Sequence, residues 1–298
     1  MNKTSLGAGF FYTILAYFIW GILPLYWNLL SAINPLHIAA FRIILSLILI
    51  SIILFTAKNF AWLRFFKNKR EGISLVTAGF LISFNWIIYI WAVNNGQTIE
   101  AALGYYINPL ISVVLGMWIL KEKINFLQII AFVIAAIGVF LLVFFTGRPP
   151  WISLGLAFTF GFYGLIKKTV RFSALESLGI ETLAALPLGL LLLAGSFSIG
   201  QLSNQQGLAY MMELPWLTLF LLLLCGAVTT LPLYLFGKGV KIIPLSTVGF
   251  LQFIAPTLTF LTGIFIFRES FPIYNLVVFG FIWLAMILYI VSLKRYGK

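Results

Sequence analysis

Residues 100–123, EAALGYYINPLISVVLGMWILKEK, decide the fold. Their apolar run is long enough to cross a bilayer as a helix, which needs about 20 mostly apolar residues. The run nevertheless starts on an acid, contains Asn108-Pro109 and ends on Lys121-Glu122-Lys123. Because Pro109 has no backbone N–H, a carbonyl one turn earlier needs another partner, which in hydrocarbon only neighbouring helices or trapped water supply. The stretch therefore predicts a membrane helix inside a bundle.

A related pattern recurs near the C-terminus. Pro256 precedes Glu269 by 13 residues, which is the spacing between Pro109 and Glu122. A shift of 147 residues places one pattern on the other. This correspondence predicts an internal repeat.

The composition is that of a membrane protein. Hydrophobic residues make up 62% of the chain and charged residues 9%, against roughly 45–50% and 25% in soluble domains. The net charge of +12 lies between the apolar runs, so it predicts contact with anionic lipid headgroups and not with nucleic acid. We expect no metal site, cofactor or enzymatic activity, because the sequence has no Cys/His cluster, phosphate loop, dinucleotide fingerprint or nucleophile motif.

Ten apolar runs are separated by charged or turn-forming residues, which predicts an all-α integral membrane protein with ten transmembrane helices. An odd number of helices in each half places the two halves in opposite orientations, so we expect two inverted five-helix repeats, 1–146 and 147–298, in one structural unit. The runs cover 7–30, 35–57, 72–94, 99–120, 124–145, 151–167, 177–198, 215–236, 243–267 and 272–293.

The basic residues predict the orientation. With the N-terminus in the cytoplasm, 16 of the 19 Lys and Arg residues fall on the cytoplasmic side. Cytoplasmic loops of membrane proteins carry this excess of Lys and Arg. We therefore expect a multi-pass membrane protein with both termini cytoplasmic.

Two ionisable residues lie inside predicted spans. Arg42 lies about seven residues into the second run, roughly 10 Å below the outer surface. An Arg at that depth needs a partner, a cavity or access to the interface, and Glu100 is the closest plausible counter-ion. A structural ion pair and a substrate-facing role are both open. Glu181, near the cytoplasmic end of the seventh run, is either a headgroup-level acid or a carboxylate at the inner mouth.

Uncharged polar residues also share helix faces within the spans. They either bond neighbouring helices together or contact a substrate, and both interpretations stay open. Trp86 is a candidate for a cavity wall, and the face that carries Ser112 is expected to look toward Gln252. The polar candidates are Asn85, Tyr89, Tyr105, Asn108 and Gln252.

Several stretches resemble the bacterial RarD group, in the EamA branch of the drug/metabolite transporter superfamily. They include 16–21 AYFIWG, 91–95 WAVNN and 100–110 EAALGYYINPL, with Tyr106 where that group is expected to have Phe. The resemblance implies ten helices in two inverted halves around a central cavity. Relatives include exporters of amino acids and small metabolites, and the RarD name is associated with chloramphenicol sensitivity.

From the residues and the resemblance together we expect a secondary transporter that works by alternating access. It would move a small amphipathic or zwitterionic metabolite or drug, with export the favoured direction. A passive channel without ion coupling is the alternative, and a membrane-embedded enzyme or scaffold is disfavoured. The expected partners are a small-molecule substrate and membrane lipid, and a homodimer is left open. The expected substrate-binding residues are Arg42 and Glu100 on the outer side, Asn85, Trp86, Tyr89, Tyr105, Asn108 and Gln252 at the centre, and Tyr163 and Glu181 at the inner mouth.

Overall fold

A computed structural model describes residues 3–60, 62, 69–94, 98–146, 151–202, 214–268 and 273–296. These residues contain eleven α-helices and no β-strand. The helices are α1 (Lys3–Leu29), α2 (Pro35–Thr56), α3 (Lys69–Asn94), α4 (Thr98–Trp118), α5 (Phe126–Thr146), α6 (Trp151–Thr169), α7 (Ala174–Leu202), α8 (Trp216–Ile242), α9 (Leu245–Gln252), α10 (Ile254–Phe265) and α11 (Ile273–Tyr296).

The helices account for all ten predicted spans, because α9 and α10 together form the ninth. Eight spans in the described part of the chain are long and apolar enough to cross a membrane. Of the other two, α4 has a shorter apolar part and α6 ends on Lys167 and Lys168. The prediction of an all-α membrane protein with ten spanning helices is confirmed.

The ninth span is interrupted, which the sequence analysis did not predict. The break falls at Phe253, between α9 and α10. Its cause is Pro256, whose missing N–H cannot bond the carbonyl of Gln252 four residues earlier. In α10 the proline instead occupies the first turn, where the missing donor has no intrahelical partner to lose.

Helices from the two halves of the chain are interleaved. α1 packs against α8 and α10, and α6 packs against α3 and α4. α2 packs against α8, and α7 packs against α3 in the corresponding way. Three further pairs also join the two halves: α2–α7, α4–α9 and α5–α11. Exchanging the first five spans with the last five leaves this set of pairings unchanged, which supports a repeat.

The ends of α4 and α10 support the same repeat. α4 ends at Trp118, and Lys121 follows with a φ of 53°; α10 ends at Phe265, and Arg268 follows with a φ of 54°. Each pair is separated by the 147-residue shift found in the sequence. Positive φ is uncommon outside glycine, so the shared turn is specific. The division at 146 and 147 stays a prediction.

Polar contacts gather the basic residues at one end of the bundle, called the basic end below. There the Lys168 Nζ donates to the Ile243 carbonyl over 2.6 Å, and Lys241 donates to the carbonyls of Val170 (2.9 Å) and Phe172. The ends of α6 and α8 are joined by these bonds. At the opposite end, the Tyr26 hydroxyl of α1 donates to the Leu221 carbonyl of α8.

Candidate functional site

Arg42 lies against two indole rings, toward the opposite end of the bundle. Its guanidinium carbon is 4.9 Å from the ring centroid of Trp27 and 4.6 Å from that of Trp86. Its Nε donates to the Thr229 Oγ1 over 3.1 Å. Helices α1, α3 and α8 thus contact one cation of α2, and cation–π attraction stabilises it. Among the described residues, Arg42 forms no ion pair.

Tyr89 and Tyr105 form a partly exposed aromatic pair beside Arg42. Their ring centroids are 6.0 Å apart in an edge-to-face arrangement, and both rings are close enough to Arg42 to interact with it electrostatically. Tyr89 keeps 37% and Tyr105 39% of its surface exposed. We interpret the space that these two rings border as a cavity beside Arg42.

An aromatic layer separates this cavity from the basic end. Phe236 of α8 is 5.7 Å from Trp20, 5.4 Å from Phe160 and 6.0 Å from Tyr163, ring centroid to ring centroid. Trp86 packs against the same core cluster. Since Thr229 and Phe236 are seven residues apart in α8, the layer lies about 10 Å along the axis from the Arg42 contact.

A fully buried ion pair lies on the basic-end side of this aromatic layer. The Lys167 Nζ is 2.7 Å from the Glu181 Oε1, and the Tyr163 hydroxyl donates to the Glu181 Oε2 over 3.0 Å. Lys167 is 0% exposed and Glu181 is 2% exposed. Glu181 therefore has a cation of the protein itself as its partner, and its depth in the membrane stays a prediction. Both Tyr163 and Glu181 are closed off in this conformation instead of lining an open mouth.

Glu122 closes the basic end on the side of α9. Its Oε1 accepts from the Leu245 N–H over 2.6 Å, and its Oε2 accepts from the Ser246 N–H over 2.8 Å and the Ser246 hydroxyl over 2.7 Å. A carboxylate at a helix N-terminus satisfies free N–H groups and complements the helix dipole. The contact joins the end of α4 to the start of α9, so it links the two halves.

The two asparagines at the centre make different contacts. The Asn85 Nδ2 donates to the Leu156 carbonyl and to the Thr159 Oγ1 of α6, both over 2.9 Å. Asn108 is buried and accepts from the Ser112 hydroxyl of the same helix over 3.4 Å. The bonds of Asn85 favour its helix-joining interpretation, the bond of Asn108 favours neither interpretation, and the substrate roles of both stay predictions.

The face of α4 that carries Ser112 packs directly against α9, and its expected orientation toward Gln252 stays a prediction. A Cβ built on Gly249 of α9 would lie 2.7 Å from the Pro109 carbonyl and 3.0 Å from the Ser112 Cβ. Gln252, one turn further along α9, accepts from the Tyr17 hydroxyl over 3.5 Å. Gln252 is therefore buried between α9 and α1.

The predicted Arg42–Glu100 pair lies outside the described residues. The backbone of Glu100 belongs to α4, but its side chain is not among those described. The ion pair of Arg42 with Glu100 and the substrate-facing role of Arg42 both stay predictions. The other described acids, Glu71, Glu122, Glu176 and Glu181, make their polar contacts with residues of the basic end.

Sequence analysis missed Lys167 and Trp27 as site residues. Lys167 falls at the end of an apolar run and is one of the 16 basic residues expected on the cytoplasmic side, yet it is buried. Glu181 could have pointed to a buried lysine such as Lys167, since a carboxylate in an apolar run requires a nearby cation. Trp27 gave no comparable signal, because a Trp near the end of a span is typical of an interfacial anchor. Within the described residues, no group of His, Cys, Asp or Glu could hold a metal ion.

Comparison with known proteins gives the family. The model of the EamA-like transporter family matches residues 7–144. The chain is 43% identical over 302 residues to YojE of Bacillus subtilis, named an uncharacterized transporter, covering 100% of this chain and 98% of that one. It is 36% identical over 293 residues to protein RarD of Escherichia coli, covering 98% and 97%.

The chain belongs to the EamA-like transporter family. The predicted resemblance to RarD proteins is confirmed. A crystal structure 16% identical in sequence shares the fold, with a TM-score of 0.69 over 97% of this chain and 98% of that chain. Like the other members named transporters, this EamA-like protein is a multi-pass membrane transporter and not an enzyme.

Proposed function

We propose that this EamA-like protein is a secondary transporter that moves a small amphipathic or zwitterionic metabolite or drug by alternating access. The observation that carries the proposal is the difference between the two ends of the bundle. On one side, the partly exposed rings of Tyr89 and Tyr105 lie beside Arg42, and we take the space that they border as the open cavity of the transport path. On the other side, the buried Lys167–Glu181 pair and the Glu122 cap close the path.

The closing contacts are of a kind that a transport cycle could open. Beyond the aromatic layer, a solute would have to separate the bonds from Lys168 to Ile243 and from Glu122 to Ser246. Water can replace such bonds when the basic end opens, so the net free energy of each is modest, about 1–3 kcal/mol for bonds to charged groups. The same contacts would then re-form to close that end.

The pairing of helices supports rocking between two halves. Inverted repeats place a substrate site between them and exchange its accessibility when one half moves against the other. In the described residues, the Glu122–Ser246 contact joins α4 to α9 across the two halves, while the Lys168–Ile243 bond lies within the second half. We propose the repeats 1–146 and 147–298 as these two halves.

Orientation and direction belong to the same proposal. Lys167, Lys168 and Lys241 gather at the basic end, and Lys and Arg favour the cytoplasmic side. We therefore propose that the basic end is cytoplasmic, with both termini on that side of the bacterial inner membrane and export as the direction of transport. The cavity would then face outward in this conformation. The homodimer stays a prediction.

Counterflow in proteoliposomes tests the transport mechanism. A thermal-shift screen of purified protein against amino acids, nucleosides and chloramphenicol first selects a solute that binds. Vesicles loaded with that unlabelled solute then receive a trace of the labelled form, with protein-free liposomes as the control. Saturable, trans-stimulated uptake is expected. Flux that rises linearly with concentration and shows no counterflow would favour the passive channel and contradict the proposal.

A further inference from the structure

We infer that Arg42, which lies against Trp27 and Trp86, binds the carboxylate of a small organic acid with an aromatic or apolar body. The inference rests on the proposed transport function and names the chemical class of its substrate. The guanidinium of Arg42 has donors to spare. Arginine has five N–H donors, and the Arg42 Nε–H donates to the Thr229 Oγ1.

The two Nη groups are the donors of the guanidinium that a ligand can use. Among the described residues, neither Nη group has a hydrogen-bond partner. The ring centroids of Trp27 and Trp86 lie 4.9 and 4.6 Å from the guanidinium carbon, and these ring contacts use no N–H donor, so the Nη groups remain for a ligand. A carboxylate matches the edge of a guanidinium with two parallel hydrogen bonds. The Thr229 bond and the two indoles also hold the guanidinium in place in advance, which reduces the ordering needed on binding.

The charge distribution favours an acidic ligand. The four Glu side chains that the structure describes make their polar contacts at the basic end, beyond the aromatic layer. Within the described part of the chain, no protein carboxylate competes for Arg42. A cation inside a membrane protein attracts an incoming anion, so an acidic ligand fits Arg42 better than a basic one.

The neighbouring side chains favour an aromatic or apolar body. Trp86, Tyr89 and Tyr105 stand beside the guanidinium, and the exposed surface of both tyrosines faces the cavity. Rings in such a wall bind a flat apolar group by burial and edge or face contacts. The site thus pairs one cationic edge with aromatic surface, which fits an arylalkyl monocarboxylate.

Calorimetric titration of the full-length protein in neutral maltoside micelles tests the inference without lipid headgroups. The probe is 3-phenylpropionate, and its isostere 3-phenylpropanamide has the same body without the charge. We expect the amide to bind at least about tenfold more weakly, since hydrogen bonds to charged groups exceed neutral ones by about that factor. Equal affinities, or no binding of 3-phenylpropionate, would overturn the inference.

Two variants and one matched control locate the binding. Arg42→Gln should weaken 3-phenylpropionate about ten- to a hundredfold and leave the amide unchanged. Arg42→Lys keeps the charge, and therefore the fold, but loses the planar edge, so an intermediate loss is expected. Arg171→Gln, which removes an exposed arginine at the basic end, should bind as the wild type does. Unchanged carboxylate affinity in both Arg42 variants would overturn the inference.

Counterflow with the same two probes separates this inference from the proposed function. Binding that depends on Arg42, without saturable counterflow, would leave the carboxylate site standing and contradict transport. Saturable counterflow of acid and amide alike would leave transport standing and overturn the carboxylate site.

Discussion

The Lys167 Nζ lies 2.7 Å from the Glu181 Oε1, and both side chains are buried between α6 and α7. A buried ion pair is stable only while both charges are present, because removing one leaves the other unpaired in a medium of low dielectric constant. The Tyr163 hydroxyl satisfies the second carboxylate oxygen. The pair therefore has a large effect on stability that single substitutions should reveal.

Lys167→Met should lower the free energy of unfolding by about 3–5 kcal/mol, because the Glu181 carboxylate is then buried without its cation. The double variant Lys167→Met/Glu181→Gln removes both charges and should recover most of that loss. Thermal unfolding of the purified variants in detergent measures both effects. A double variant as unstable as the sum of the two single variants would contradict the pairing.

The contact between α4 and α9 depends on a glycine. A Cβ on Gly249 would come within 2.7 Å of the Pro109 carbonyl, so Gly249→Ala should force the helices apart and cost about 1–3 kcal/mol. Gly280 of α11 has nothing within 4 Å of its built Cβ, and Gly280→Ala is the matched control. That control should be neutral or stabilising by up to about 1 kcal/mol, because alanine favours helix more than glycine does. Equal melting temperatures for the two variants would contradict the close contact.

Asn85 distinguishes a helix-joining amide from a substrate contact. Asn85→Leu should lower the free energy of unfolding by about 1–3 kcal/mol, since the Leu156 carbonyl and the Thr159 hydroxyl lose a donor. The affinity for a bound solute should stay within about twofold of the wild type. Unfolding and titration on the same preparation measure both quantities. A stable variant with lost affinity would instead assign Asn85 to the substrate.

The fold could be predicted because its signals are local. Apolar runs of about 20 residues and the placement of Lys and Arg gave the ten spans, and the Pro109 and Pro256 patterns gave the 147-residue shift. The break at Phe253 was missed because a proline is tolerated in many membrane helices, and Pro109 interrupts no described helix. Which of two prolines breaks a helix depends on tertiary contacts that no single run contains.

The candidate site was only partly predictable. Arg42 and Glu181 stand out in sequence because charges in hydrocarbon are rare. Their partners Trp27 and Lys167 do not, since a Trp or Lys near the end of a span is common. Some contacts that close the basic end join segments far apart in the chain, such as Glu122 and Ser246, which are 124 residues apart. The residue pattern within one helix cannot predict which distant residues will pair.

Labelling of single cysteines tests alternating access most directly. In a Cys225→Ala background, Tyr105→Cys lies in the cavity and Ser177→Cys lies buried at the basic end. A membrane-impermeant thiol reagent should label Tyr105→Cys from the opposite end and leave Ser177→Cys unlabelled, and a transported solute should exchange the two results. Simultaneous labelling of both positions, unchanged by solute, would show a continuous path and contradict alternating access.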